Sequence, residues 1–436
     1  MAFFKTFQQR KIRLLSVAVV VAVIGMAILF ACSPGSSGNN TSSIRRQTAE
    51  SGLETLRSMA ESSDYLFFGY ESPSDVGKEE LGEPITVKTI DIETLLTSDV
   101  PNDAMIIEKN EYVFPVMVRS KPIGAVQIML KDDTWEYVAI GSKSDVEKAL
   151  NIISANALAI EDIYLLNLEE VEMAFMGYKS NGRQILIPLY KSAAAPFVPG
   201  VKYAFKDIAL FIKNSVISAK ASYADMAPPV LNDKDTAKDS AVTALSRSPS
   251  SSSRTVAGSA KTHKELDIPL FPQEQDEWCW AATGTMTMIF AGGDQGSITQ
   301  CAQANDAFGQ SGCCMDGGTS QCNKPYRPSY EKWGFRAEKV YNAGGAALSW
   351  TELKGYIDSG KPVAFLWKWR HGGGHYMVAV GYYEDTTTYP TIMMVLINNP
   401  WPPDVGKREA ITYAKWVGGT RYNNLQTCYF YNIVKN

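Results

Sequence analysis

The sequence predicts an α+β protein with two folded parts in tandem, and three observations carry that prediction. Short runs of apolar residues bounded by turn formers recur along the chain and read as strands. Segments opened by Ser with Glu three residues later read as capped helices among them. A stretch poor in large apolar groups, with Ser248-Pro249-Ser250-Ser251-Ser252-Ser253 inside it, divides the chain. The 436 residues, 45% of them hydrophobic, hold enough material for two cores.

The chain opens with Lys5, Arg10, Lys11 and Arg13, followed by an uncharged run from Leu14 to Ala31 that ends Leu29-Phe30-Ala31-Cys32. This pattern resembles a bacterial lipoprotein signal with its lipobox. The resemblance implies removal of residues 1–31 and lipidation of Cys32. A plain membrane anchor is the alternative, because a run of this length approaches that needed to span. Either way the remainder is expected in the cell envelope, tethered to a membrane and facing outside the cytoplasm. The formal net charge is −4. Loss of the four basic groups before Cys32 makes it more acidic still, which argues against a nucleic-acid partner.

Residues 32–45, rich in Ser, Gly and Asn, read as a flexible tether. Residues 46–222 read as an α+β module. It opens with a helix carrying Leu53 and Leu56 and continues in β-like sequence. Strands are expected at Tyr112–Val118 and Ala125–Leu130, with a turn at Lys121-Pro122 between them. A capping box at Ser144 and Glu147 predicts a helix, and Asn181-Gly182 before Ile185-Leu186-Ile187 predicts a hairpin. The module has no histidine, and no cysteine follows Cys32 within it, so it offers no evident chemistry of its own. Residues 223–264 then read as a disordered linker.

In residues 265–436, apolar residues at helical spacing follow Cys279 through Trp280, Ala281, Ala282, Met286 and Phe290. The thiol is thereby set at a helix start, where the dipole favours thiolate. Ser349 with Glu352 opens a further helix that Gly360-Lys361-Pro362 ends. Strands follow at Val363–Trp369, from His375 onward, and at Thr391–Ile397, the last delivering Asn399. Three neighbouring antiparallel strands would bring His375 and Asn399 together. Gln273, six residues before Cys279, is the candidate side-chain donor to an oxyanion, with Gln275 as a second candidate.

Cys, His and Asn in that order suggest a thiol nucleophile, a general base and the residue that orients it. On Gln273, Cys279-Trp280, His375-Tyr376-Met377-Val378 and Asn399-Pro400-Trp401, residues 265–436 resemble a papain-like cysteine peptidase domain. The resemblance implies a helical half that carries the nucleophile, an antiparallel β half, and peptide-bond hydrolysis through a thioester with no metal or organic cofactor. Glu277-Trp278-Cys279-Trp280 departs from the Cys-Gly-Ser-Cys-Trp of the cathepsin branch, and His375 follows Cys279 more closely than there. The sequence is closer to compact bacterial peptidases related to bacteriocin-leader processing and to secreted effector proteases. Many of those carry Asp in place of Asn399. Trp401, like the family's Trp, would shield the His375–Asn399 bond.

Plainer readings stand beside these. Cys279 pairs completely with the other cysteines if it is structural, since six remain besides Cys32. Asn399, before Pro400, also suits a turn, and Asn398 competes with it as the orienting residue. His371 and His375 flank three glycines, which do not present two ligands on a helix. Cys301, Cys313, Cys314 and Cys322 crowd one Gly- and Asn-rich segment, expected to be a loop stapled by disulfides, with Cys428 as the fifth cysteine; their spacing fits no zinc ribbon. For function, an amidase or acyltransferase with the same triad, and an inactive binding lipoprotein, are the alternatives. Because papain-like enzymes are often made with inhibitory segments, residues 46–222 are expected to inhibit the peptidase domain intramolecularly as a propeptide.

Overall fold

The computed structural model describes residues 37–62, 65–141, 143–159, 162–168, 173–191, 196–225, 261–342, 344–369, 373–419 and 424–436. The Leu14–Ala31 run, Cys32, His371 and residues 226–260 of the expected linker lie outside these. Among the described residues no helix is long and apolar enough to cross a membrane.

Helix α1 (Ser37–Ser62) begins inside the expected tether and runs through Leu53 and Leu56, both buried. Residues 37–47 belong to an N-terminal unit of their own, and residues 48–436 form the second. The second unit begins with strands β1 (Glu80–Leu81), β2 (Ile85–Ile90), β3 (Ile106–Val118), β4 (Lys121–Lys131) and β5 (Thr134–Gly141), with the short α2 (Ile92–Thr97) between β2 and β3 in the chain. Helix α3 (Lys143–Asn156), β6 (Ile163–Leu168), β7 (Met173–Ser180), β8 (Arg183–Pro188), β9 (Tyr203–Ala204) and α4 (Phe205–Asp225) follow.

The hairpins are set by turn chemistry. Asn181 and Gly182 both have positive φ (48° and 77°) and join Ser180 to its partner Arg183, the two-residue turn that matches strand twist. Between β3 and β4 the turn falls on Arg119 and Ser120, also at positive φ, and not on Lys121-Pro122. Pro122 lies inside β4, beside a register shift in β3, where a missing N–H is tolerated. Helix α3 starts at Lys143, so Ser144 lies within its first turn.

The C-terminal part contains β10 (Lys261–Glu265), α5 (Cys279–Phe290), α6 (Gln300–Phe308), β11 (Phe335–Tyr341), α7 (Trp350–Asp358) and β12 (Val363–Trp369). It ends with β13 (Gly374–Asp385), β14 (Ile392–Asn399), β15 (Lys407–Thr412), α8 (Tyr413–Val417), β16 (Gly418–Gly419) and β17 (Asn424–Lys435). Two expectations change here. Residues 261–264, read as linker, are the start of β10, which pairs with β13 and places His263 opposite Tyr383. Cys301, read as part of a loop, lies on α6, whose Thr299 cap accepts from Ala302 N.

Strands β12, β13, β14 and β15 are consecutive antiparallel neighbours. Strand β13 is buried along nearly its whole length, which is why its sequence is a continuous apolar run and not an alternating one. The sheet then passes into the module. Strand β15 pairs with β5 through Glu409–Gly141, Ala410–Ile140 and Ile411–Ala139, and continues to β4, β3, β2 and, in parallel, β6. One apolar cluster spans the junction: Leu56, Val126, Ile128 and Ile140 of the module pack in it with Ile268, Val378, Ile397 and Trp416. The overall class is α+β, as the sequence predicts, with a predominantly antiparallel sheet.

Candidate active site

Helix α5 carries no charged residue, in keeping with its burial: Cys279 through Met288 are buried without exception. Helix α6 presses close against it. A Cβ built on Gly284 would lie 2.6 Å from Gln303 Oε1. Gln303 Nε2 in turn donates to Ala281 O (3.0 Å) and Thr285 Oγ1 (2.8 Å), fixing the two helices. Cys279 is the first residue of α5. Its predecessor Trp278 provides no side-chain cap to the N–H groups of the first turn.

The loop ahead of Cys279 is held from two sides. Gln273 is fully buried, and its Nε2 donates to Gln275 O (3.0 Å) and Asp276 O (2.7 Å). Both amide hydrogens are thus engaged with the turn that leads into α5. Its backbone N donates to Pro400 O (2.9 Å) and its carbonyl accepts from Asp404 N (3.0 Å), which ties the nucleophile loop to the segment after Asn399. Gln275, the second oxyanion candidate, has its side chain against Gly317.

From the other side comes the cysteine-rich segment. The disulfides are Cys301–Cys314 and Cys313–Cys322, which leaves Cys428 as the fifth cysteine and Cys279 outside any disulfide. The stapled segment grips both tryptophans that flank Cys279: Trp278 Nε1 donates to Cys322 O (2.9 Å) and Trp280 Nε1 to Lys324 O (3.1 Å). Glu277 N donates to Asn323 Oδ1 (2.9 Å). Sequence reasoning did not find this buttress; the signal available was the two tryptophans beside the cysteine, each with one donor to satisfy.

His375 is buried on β13, opposite Trp367 of β12. Its Nε2 and Asn399 Oδ1 are 2.8 Å apart. The same Oδ1 accepts from Trp401 N at 3.0 Å, so the acceptor is held on two sides. Asn398 faces elsewhere, its Nδ2 donating to Ile268 O (3.0 Å). The Trp401 ring packs edge-on against Tyr190 of the module (5.4 Å) and under Lys407 Nζ (4.3 Å).

Tyr376, next to His375, packs in a cluster with Cys279 and Cys428. Burial first, and then the neighbouring Cys428 and Cys279, hold its phenol well above the ordinary range. It therefore stays protonated and donates to Cys428, whose own thiol burial pushes up to about 11. Helix α5 packs directly on β13, so the element bearing Cys279 and the one bearing His375 are in contact.

A cavity of about 150 Å³ opens beside this pair, with His375, Asn399 and Trp401 in its wall. Lys407, at its edge, forms an ion pair with Asp145 of the module at 2.6 Å. Among the described residues no group of three or more His, Cys, Asp or Glu is arranged to hold a metal ion.

Residues 265–428 match the Peptidase_C39 like family, a span that includes Gln273, Cys279, His375 and Asn399. The match supports a papain-like cysteine peptidase fold for that region, which has a buried helix beginning at the cysteine and an antiparallel sheet carrying the histidine and the asparagine. No match to a curated protein is found.

Proposed function

We propose that the protein hydrolyses peptide bonds, with Cys279 as nucleophile, His375 as general base and acid, and Asn399 as the residue that orients the imidazole. The hydrogen bond from His375 Nε2 to Asn399 Oδ1 at 2.8 Å, braced by Trp401 N, is the observation that carries this reading. With Nε2 committed to Asn399, the ring takes the thiol proton through Nδ1.

In the reaction the Cys279 sulfur attacks the carbonyl carbon, and the oxygen takes up the negative charge facing N–H groups at the start of α5. His375 then protonates the departing amine as the carbonyl re-forms, which leaves a thioester. Water, losing its proton to His375, cleaves the thioester and restores the thiol. Gln273 Nε2, donating to Gln275 O and Asp276 O, fixes the turn ahead of Cys279.

The proposal extends to location and to the module. Two disulfides suit an oxidising compartment, in keeping with export and lipidation of Cys32. The module covers the His375–Asn399 side of the site, which supports a role in controlling access. The shared core supports its being retained on the enzyme after any cut in the linker.

The test is alkylation of the full chain with iodoacetamide or an epoxide thiol inhibitor across pH, in wild type, Cys279→Ala and His375→Ala. Rapid modification of Cys279 below the ordinary thiol range, slowed at least tenfold by His375→Ala, is expected. An unreactive Cys279 sinks the enzyme reading in favour of a binding lipoprotein. Product capture by added amines in preference to water would move it to an acyltransferase.

A further inference from the structure

The loop that leads into Cys279 is clamped at two places by different parts of the chain. Gln300, the first residue of α6, accepts from Glu274 N (3.0 Å) through Oε1 and donates to Pro272 O (2.7 Å) through Nε2. This clamp fixes residues 272–274. The second fixes residues 277–280 and is built from Cys322, Asn323 and Lys324, which accept from Trp278, Glu277 and Trp280 in turn. Gly317 of the same segment lies so close to the loop that a Cβ there would stand 2.8 Å from Trp278 Cη2 and 3.1 Å from Gln275 Nε2.

The two clamps are joined covalently. Cys301, next to Gln300, is bonded to Cys314, and Cys313, next to Cys314, is bonded to Cys322. The adjacent pair Cys313-Cys314 puts the disulfides in series, so opening either one breaks the strut. Asn305 of α6 brackets that pair, its Oδ1 accepting from Cys313 N (2.9 Å) and its Nδ2 donating to Cys314 Sγ (3.6 Å).

The links differ in access and in chemistry. Cys313 and Cys322 are buried (2% and 3% exposed), whereas Cys314 is exposed and Cys301 half-buried. A reductant therefore meets Cys301–Cys314 first. Cys301 also lies in the first turn of α6, where the helix dipole favours a thiolate, and Thr299 Oγ1 is 3.4 Å from its sulfur. A thiolate that attacks Cys314 Sγ thus expels the better leaving group.

We propose that Cys301–Cys314 is a redox switch on the Cys279 site. Closed by oxidation, it holds the two clamps together; opened by a dithiol, it slackens the loop and lowers activity. In the opening step one thiolate of the dithiol bonds to Cys314 Sγ as the Cys301–Cys314 bond breaks and Cys301 leaves as thiolate. The second thiol of the dithiol then displaces Cys314. The dithiol ends as a disulfide, two electrons have passed to the protein, and the two protons of the dithiol end on Cys301 and Cys314. Cys279, outside any disulfide, takes no part. The reagent that ordinarily preserves a thiol enzyme here opposes it. The loss of activity rests on the peptidase reading; the slackening of the loop does not.

The experiment titrates the full chain with dithiothreitol, alkylates the thiols formed and identifies them by mass spectrometry, alongside peptide cleavage and amide exchange. Cys301 and Cys314 should be labelled at a dithiothreitol concentration about tenfold below that needed for Cys313 and Cys322. Over that range kcat/KM should fall about tenfold, exchange at residues 275–280 should quicken, and far-ultraviolet circular dichroism should hold. Oxidised glutathione should restore activity and slow exchange. The Cys301→Ser, Cys314→Ser double variant should start at the low activity and ignore this range of dithiothreitol. The proposal is overturned by opening of Cys313–Cys322 first, by activity unchanged or raised while Cys301–Cys314 is open, or by loss of dichroism in step with that opening. Should the oxidised chain cut no peptide, the peptidase reading fails and exchange at residues 275–280 decides. Quickening on reduction supports control of the loop by this disulfide, and unchanged exchange rejects it.

Discussion

Replacing Asp145 by Ala should destabilise the whole of residues 48–436, including the peptidase strands, although Asp145 lies in the module. Its carboxylate is 2.6 Å from Lys407 Nζ, and the two side chains are 17% and 6% exposed. At that distance an effective dielectric of about 20 gives roughly 6 kcal/mol of Coulomb attraction. Desolvation of the two ions offsets much of it, and removing one partner of a buried pair typically costs about 3–5 kcal/mol, because a charge stays behind. Lys407 is the more deeply buried ion, so Asp145→Ala should cost more than Lys407→Met. The assay is urea unfolding of the two single variants and the double variant, followed by far-ultraviolet circular dichroism and tryptophan fluorescence. Coincident transitions are expected, with the double variant less destabilised than the sum of the singles by about 2 kcal/mol. A cost for Asp145→Ala within about 1 kcal/mol of zero, additive singles, or separate unfolding of module and peptidase would refute the reasoning.

Three further outcomes are expected. Asn399→Ala should lower kcat/KM about 10²-fold through loss of imidazole alignment, whereas Asn399→Asp, which accepts the same two hydrogen bonds, should stay within tenfold of wild type in a peptide-cleavage assay. Cys313→Ser opens a disulfide of sequence separation 9, for which chain entropy predicts about 2.6 kcal/mol; denaturation and amide exchange at residues 275–280 should report both the loss and the loosened nucleophile loop. The Cys428 thiol, raised from 9.0 to about 11 by burial, contributes stability that is present below pH 9 and lost as pH rises through 11. Native alkylation at pH 8 should therefore spare Cys428, and denaturant should expose it as an additional reactive thiol.

The site was legible in the sequence where local pattern and chemistry coincide. Cys279 ahead of helically spaced apolar residues, and His375 at the head of a β-like run, are local signals, and both elements form as their patterns dictate. The choice of Asn399 over Asn398 was not legible, since it depends on which of two adjacent side chains the strand turns toward His375. Cysteine pairing was not legible either, because spacing does not select among the possible connectivities. The turn at Arg119-Ser120 escaped because both residues take positive φ, which Gly and Asn favour and Arg and Ser do not, while Pro122 nearby is a strong turn signal. The β5–β15 pairing joins residues far apart in sequence through backbone groups, which no side-chain pattern advertises.

That pairing separates the unit of kinship from the unit of folding. The family match begins at residue 265, yet a chain cut there would keep β15 and lose its neighbour β5. The N–H and C=O groups of Glu409, Ala410 and Ile411 would become a bare sheet edge, next to core residues such as Trp416 and Ile397 stripped of their module partners. Such edges recruit other strands, so the shortened protein would be drawn toward self-association. For this molecule the boundary of the family match runs through the middle of a sheet.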